Sequence, residues 1–122
     1  MDETYGGLWA QPPLTVDEED WSLAWVAAVD SEIVGMVLTV EDWVSDLWVL
    51  RPFRGTGVGT MLLGRGETEV AERGYQHAKL RLVRSNTRAQ KFYERRGWQV
   101  EGEVPHEHLP VTMVVMTKPL SI

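Results

Sequence analysis

The sequence predicts one α/β domain of mixed α+β type, a mostly antiparallel central sheet flanked by helices. Three observations carry this reading. Short β-rich runs separated by turn signals occur toward both ends of the chain; two internal segments have helical spacing; a glycine-rich turn joins an apolar run to the first of them. In chain order the elements read ββ-β-α-β-α-ββ. At 122 residues the chain is long enough to bury about two-thirds of its unfolded surface.

The first 21 residues read as irregular and include Pro12-Pro13. Residues 22–29 and 33–40 are β-rich, with Asp30-Ser31-Glu32 as a hairpin connection. Glu41-Asp42 turns the chain into a strand over 43–50, whose end, Leu47-Trp48-Val49-Leu50, is an apolar run. Residues 61–73 read as a helix closed by Gly74, and residues 77–84 as a strand. Ser85 or Asn86 caps the next helix, and Gly97 supplies its left-handed stop. On that helix Ala89, Phe92 and Tyr93 share one face, while Arg88, Lys91 and Arg95 share another. Strands near 98–104 and 111–116 complete the sheet, with Trp25 and Trp98 expected in the core.

Composition narrows the function classes. The chain has no cysteine, so a thiol nucleophile and a disulfide framework are excluded. No apolar run approaches the length of a membrane span and the start is acidic, so a cytoplasmic protein is expected. The net charge of -6 is unevenly spread: residues 1–50 hold 11 acidic and no basic groups, whereas residues 51–96 hold 11 basic and 4 acidic ones. A basic middle suits a polyanionic cofactor, and an acidic first part suits a cationic acceptor. Nucleic-acid binding is disfavoured by the acidic whole.

The glycine-rich turn is Arg54-Gly55-Thr56-Gly57-Val58-Gly59-Thr60. Its glycines let backbone N–H groups and a helix N-terminus approach a phosphate, and Arg54 adds a permanent charge. No lysine follows, which excludes a nucleoside-triphosphate loop. The spacing G-x-G-x-G and the absence of an acidic residue about 20 positions on disfavour a dinucleotide fingerprint. Arg-x-x-Gly-x-Gly after a strand resembles the pyrophosphate-binding motif of the GNAT superfamily of N-acetyltransferases. The stretch from Asn86 to Trp98 is similar to that family's second signature, Asn-x-x-Ala-x-x-Phe-Tyr-x-x-x-Gly-aromatic, in the family's order. The resemblance covers residues from about 25 to 118.

That resemblance implies acetyl transfer from acetyl-CoA to an amine by direct attack, with no metal. It assigns Arg54, Gly55, Thr56, Gly57, Val58, Gly59 and Thr60 to the pyrophosphate, and Asn86 and Phe92 to the pantetheine arm. Backbone N–H near Val49 and Leu50 would form an oxyanion hole, and Tyr93 would protonate the departing thiolate. A lysine-like amine costs about 4.6 kcal/mol to neutralise at pH 7, so a base helps. Family enzymes often carry a glutamate on the strand before the glycine turn. Here alternation puts Glu41, Trp43, Ser45, Leu47 and Val49 on one face, with Asp46 opposite unless a bulge re-aims it. Glu41 is the first candidate base and Asp46 the second, with a water relay as the alternative.

The family usually places a strand and two helices before the first hairpin, and about 21 residues stand here in their place. The acceptor pocket is then open, lined by the segment with Trp9 and Trp21, or completed by a homodimer partner. His106-Glu107-His108 reads as a solvent-exposed loop without a third ligand for a metal; the alternative is a loop that reaches the acceptor site, where either histidine could relay protons. A small cationic amine is the expected acceptor. A non-catalytic acyl-CoA-binding or sensing module is the alternative from another class.

Overall fold

A computed structural model describes residues 9–10 and 24–120. Seven strands form one sheet: β1 (Trp9–Ala10), β2 (Ala24–Val29), β3 (Glu32–Val40), β4 (Trp43–Val49), β5 (His77–Val83), β6 (Gln99–Pro105) and β7 (Thr112–Pro119). Helix α1 (Val58–Glu72) connects β4 to β5, and α2 (Thr87–Glu94) follows β5. The spatial order is β1-β2-β3-β4-β5-β7-β6. Every neighbouring pair is antiparallel except β4 and β5, which are parallel and need the α1 crossover.

The sheet has one strand more than the sequence suggested. Trp9 and Ala10 pair with Ala27 and Val26, so part of the segment read as irregular is an edge strand. Two residues carry no periodicity of their own; pairing alone makes them a strand. The first hairpin is tighter than the three-residue connection expected, because Val29 already pairs with Glu32. Asp30 and Ser31 both have positive φ, 52° and 71°, as the I′ turn that matches strand twist requires.

Helix α1 lies on one face of the sheet through Val58, Leu62, Leu63 and Val70, all buried. Val37 and Val44 from the strands, with Leu80, Leu82, Val114 and Met116 farther across, complete this core. Ala89, Phe92 and Tyr93 of α2 pack against the same core. Gly66 brings α1 close to the sheet: a Cβ there would meet Val37 Cγ2 at 3.0 Å. The other face carries a smaller cluster of Ala24, Val26 and Met36. Trp98 is buried as expected, whereas Trp25 is half-buried beneath the Arg65 guanidinium, 3.9 Å from the ring centroid.

Arg73, at the end of α1, clamps the β3–β4 turn. Its guanidinium donates to the Glu41 carbonyl and to Thr39 Oγ1, both at 2.7 Å. Thr39 is a buried polar side chain, and this bond satisfies it.

Candidate active site

The site begins with a fault between two strands. β4 and β5 pair at a single position, Trp43 with Lys79, anchored by the Lys79 N–H donating to the Asp42 carbonyl at 2.9 Å. Beyond it the strands separate. β4 itself is bulged: Leu38 pairs with Asp46 and Thr39 with Val44, leaving Ser45 as the extra residue. The Ser45 hydroxyl donates to the Leu38 carbonyl at 3.2 Å and holds the bulge.

The bulge resets which side chains share a face. Val37 pairs with Leu47 and Gly35 with Val49, so Leu47 and Val49 lie on the α1 face. Met36 pairs with Trp48, Leu38 with Asp46 and Val40 with Trp43, which puts Trp43, Asp46 and Trp48 on the opposite face. The simple alternation that grouped Trp43 with Val49 therefore fails at Ser45. Asp46 shares its face with Trp43, and burial pushes its carboxyl up from the ordinary carboxylate range.

Backbone donors divide just as sharply. The Leu50 N–H donates to the Val34 carbonyl at 2.8 Å, so it is committed to β3 and is no oxyanion donor. Antiparallel ladders alternate, so the backbone groups of Leu47 and Val49 point the other way, into the gap. Arg54 Nε reaches into that gap and donates to the Val49 carbonyl at 3.1 Å. Of the two positions proposed for the oxyanion hole, Val49 is the one whose N–H is directed toward the gap.

After β4 a short 3₁₀ turn, Arg51–Phe53, leads into the glycine turn. Gly57 caps α1 with φ of 99°, a conformation that L side chains rarely adopt. The first helical donor with a backbone acceptor is Met61, bonded to the Gly57 carbonyl at 3.0 Å. The N–H groups of Val58, Gly59 and Thr60 thus end the helix without intrahelical partners. A Cβ on Gly59 would come within 3.4 Å of the Phe92 ring and 3.7 Å of Val49 Cγ2, so glycine leaves this approach open.

Helix α2 forms the opposite wall. Asn86 Oδ1 accepts from the Ala89 N–H at 3.1 Å, which settles the cap on Asn86. The helix ends as expected, with Gly97 at φ of 93°. Phe92 and Tyr93 meet edge-on at 5.2 Å between ring centroids, and Tyr93 meets Trp98 at 6.0 Å. Burial raises the Tyr93 phenol above its ordinary value, and among the described residues its hydroxyl makes no hydrogen bond. Arg96 ties the walls together: it donates to Thr60 Oγ1 at 2.7 and 3.0 Å and to the Phe92 carbonyl at 2.8 Å, stacked 3.8 Å over the Phe92 ring.

Together these parts enclose a groove of about 630 Å³. Of the positions read from the sequence, Val49, Arg54, Gly55, Gly57, Gly59, Thr60, Asn86, Phe92 and Tyr93 line it. Val58 is buried behind the turn, Thr56 is bonded to the Phe53 carbonyl, and Leu50 and Thr56 lie outside the lining. Glu41 is not brought to this site. It occupies the β3–β4 turn at the far end of β4, eight residues and roughly 25 Å along the strand from Val49. Asp46 sits directly before the lining residues Leu47 and Trp48. The His106 loop does not border this groove, and among the described residues no group of three side chains is arranged to hold a metal ion.

The family described as Acetyltransferase (GNAT) family matches residues 1–98. The chain belongs to the GNAT family. This GNAT chain is 35% identical over 79 residues to an uncharacterised N-acetyltransferase of Archaeoglobus fulgidus, covering 56% of the chain and 54% of that protein. It is 31% identical over 106 residues to an uncharacterised N-acetyltransferase of Methanocaldococcus jannaschii, covering 81% of the chain and 62% of the relative. The chain thus spans less than two-thirds of the length of both relatives. Its fold matches the crystal structure of nourseothricin acetyltransferase with a TM-score of 0.74 and 26% identity, over 92% of this chain and 74% of that one.

The groove of this GNAT chain also contains residues that sequence reasoning did not assign. Arg88, Arg95 and Arg96 join Arg54 around it, and Leu47, Trp48 and Ala89 complete its apolar part. The i, i+7 spacing of Arg88 and Arg95 along α2 and its C-terminal cap was a usable signal. The Arg96–Thr60 tie, spanning 36 residues, was not.

Proposed function

We propose that this chain transfers an acetyl group from acetyl-CoA to a primary amine by direct attack in a ternary complex. The observation that carries this is the gap between β4 and β5, where Val49, the glycine turn and Tyr93 line one groove. The residues fit the cofactor chemically. Unpartnered N–H groups at the start of α1 and the Arg54 guanidinium suit a pyrophosphate. The Leu47–Val49 edge offers donors and acceptors at the spacing of a strand, which the amides of a pantetheine arm can pair with. Phe92 and Asn86 flank that path, and acetyl-CoA supplies the activated acyl thioester.

The chain's own groups then divide the work. The Val49 N–H stabilises negative charge on the carbonyl oxygen as the amine nitrogen bonds to the acyl carbon. The C–S bond breaks, and the Tyr93 hydroxyl gives its proton to the departing sulfur. Asp46 takes the proton that the amine loses. Burial raises its affinity for protons above that of an ordinary carboxylate, and its face is opposite that of α1. The excess acid of the first 50 residues supports attraction of the ammonium form of the acceptor. A cytoplasmic location and a homodimer that completes the acceptor side belong to this same reading; sedimentation as a monomer would remove the dimer.

Tyr93→Phe tests the assignment. Turnover should fall by about a hundredfold, in the range of general acid catalysis, while acetyl-CoA affinity changes less than about twofold. Unchanged turnover would remove Tyr93 as the acid.

A further inference from the structure

A second depression lies on the face opposite α1, away from the phosphate turn. It measures about 590 Å³ and is bordered by Trp43 and Ser45 of β4, Arg81 of β5, and Val104, Met113 and Val115 of β6 and β7. The register pairs Arg81 with Val115 and Val104 with Met113, so these side chains share one surface. Ser45 and Arg81 each stand two residues past the lone β4–β5 pair, so the depression opens at the start of the gap. The main groove begins two residues farther along β4, at Leu47, and Asp46 lies between them.

Among the described residues its floor is apolar, and the Arg81–Glu107 ion pair at its edge neutralises itself. Arg81 donates to both Glu107 carboxylate oxygens, at 2.9 and 3.2 Å. These bonds hold the Glu107 carboxyl down to about 2, so the pair remains charged and mutually occupied across the working pH range. Glu107 reaches β5 because of the loop that carries it. His106 Nδ1 accepts the N–H groups of His108 and Leu109, both at 3.0 Å, and the His106 N–H donates to the Val111 carbonyl at 3.0 Å. A side chain with an acceptor at this position shapes the turn, and the turn sets the outer wall.

We propose that this depression receives the body of the amine acceptor, an uncharged apolar group bearing the amine on a short alkyl chain, and that His106 is the positioning residue for its wall. This rests on the acetyl-transfer reading and names the acceptor class for the same site. With no uncompensated charge among the described lining side chains, the depression selects by apolar burial, and the acceptor's only cation is its ammonium.

The test is calorimetric titration with acetyl-CoA and with two coenzyme A conjugates, whose sulfur carries a methylene-linked amide of either hexylamine or spermidine. The hexylamine conjugate should bind at least about tenfold more tightly than the spermidine conjugate. That advantage should vanish in Val104→Asp and His106→Ala. It should return in His106→Asn, whose side-chain oxygen can accept the same N–H groups. Acetyl-CoA affinity should be unchanged throughout, which certifies the fold of each variant. Equal or tighter binding of the spermidine conjugate, or a hexyl advantage that survives Val104→Asp, would overturn the proposal alone. Failure of the wild-type chain to bind acetyl-CoA would overturn the acetyl-transfer reading and this inference with it.

Discussion

Glu67 of α1 holds two donors distant in sequence, and removing its carboxylate should be costly. Its Oε2 accepts the Trp98 indole N–H at 3.0 Å, and its Oε1 accepts Lys118 Nζ at 2.9 Å. Both side chains of the ion pair are largely buried, at 17% and 24% exposure for Glu67 and Lys118. Glu67→Ala leaves the indole N–H unpaired at a residue that is only 2% exposed, which costs about 1–3 kcal/mol. Stranding the ammonium adds a comparable loss, moderated because Lys118 can reach solvent. A net destabilisation of about 3 kcal/mol follows. At roughly 2.1 cal/mol/K per residue, 122 residues give an unfolding entropy of about 0.26 kcal/mol/K, so Tm should fall by about 12 °C. Glu67→Gln keeps an acceptor for the indole and should lose about half as much. Because Trp98 meets the Tyr93 ring at 6.0 Å, the Ala variant should also turn over more slowly than the Gln variant. Urea denaturation and calorimetry of both variants measure this. A loss under about 0.5 kcal/mol in Glu67→Ala would mean that solvent replaces both bonds, and the network reasoning would fail.

Three other perturbations follow from the same geometry. Arg73→Ala strips the buried Thr39 hydroxyl and the Glu41 carbonyl of their donor and should cost about 2 kcal/mol in urea denaturation. Asp46→Asn should stabilise the chain at neutral pH. Burial raises the folded-state value, so the native form binds more protons than the unfolded one between the two values; the charged form therefore weakens the fold above that window, and the variant's advantage should disappear by about pH 3. Glu107 has the opposite sign: held down to about 2 by Arg81, its contribution is complete above the ordinary glutamate value and lost as pH falls toward 2. The acid limb of Glu107→Gln, followed by circular dichroism, should accordingly be shallower than that of the wild type.

The parts of the site that were legible in the sequence are those whose chemistry is local. Gly57 and Gly97 announce backbone conformations that other residues resist, and Asn86 announces a cap; each is fixed by its immediate neighbours. The bulge at Ser45 is different, because a register fault belongs to two strands and neither glycine nor proline marks it. That fault moved Trp43 to the face opposite Val49 and left Asp46 beside the gap, which alternation alone could not settle. Glu41 was attractive as an acidic residue at a strand's start, yet strand length carries it away from the glycine turn. The commitment of the Leu50 N–H to Val34 was equally invisible, since it depends on which ladder pairs are hydrogen-bonded.

The central claim is that the β4 edge and the glycine turn together hold acetyl-CoA. Calorimetric titration of the wild-type chain and of Arg54→Glu with acetyl-CoA, with NAD and ATP as controls, tests it most directly. Micromolar binding of acetyl-CoA alone is expected, weakened at least about tenfold by the charge reversal beside Val49. Absence of binding, or equal binding of NAD or ATP, would contradict it.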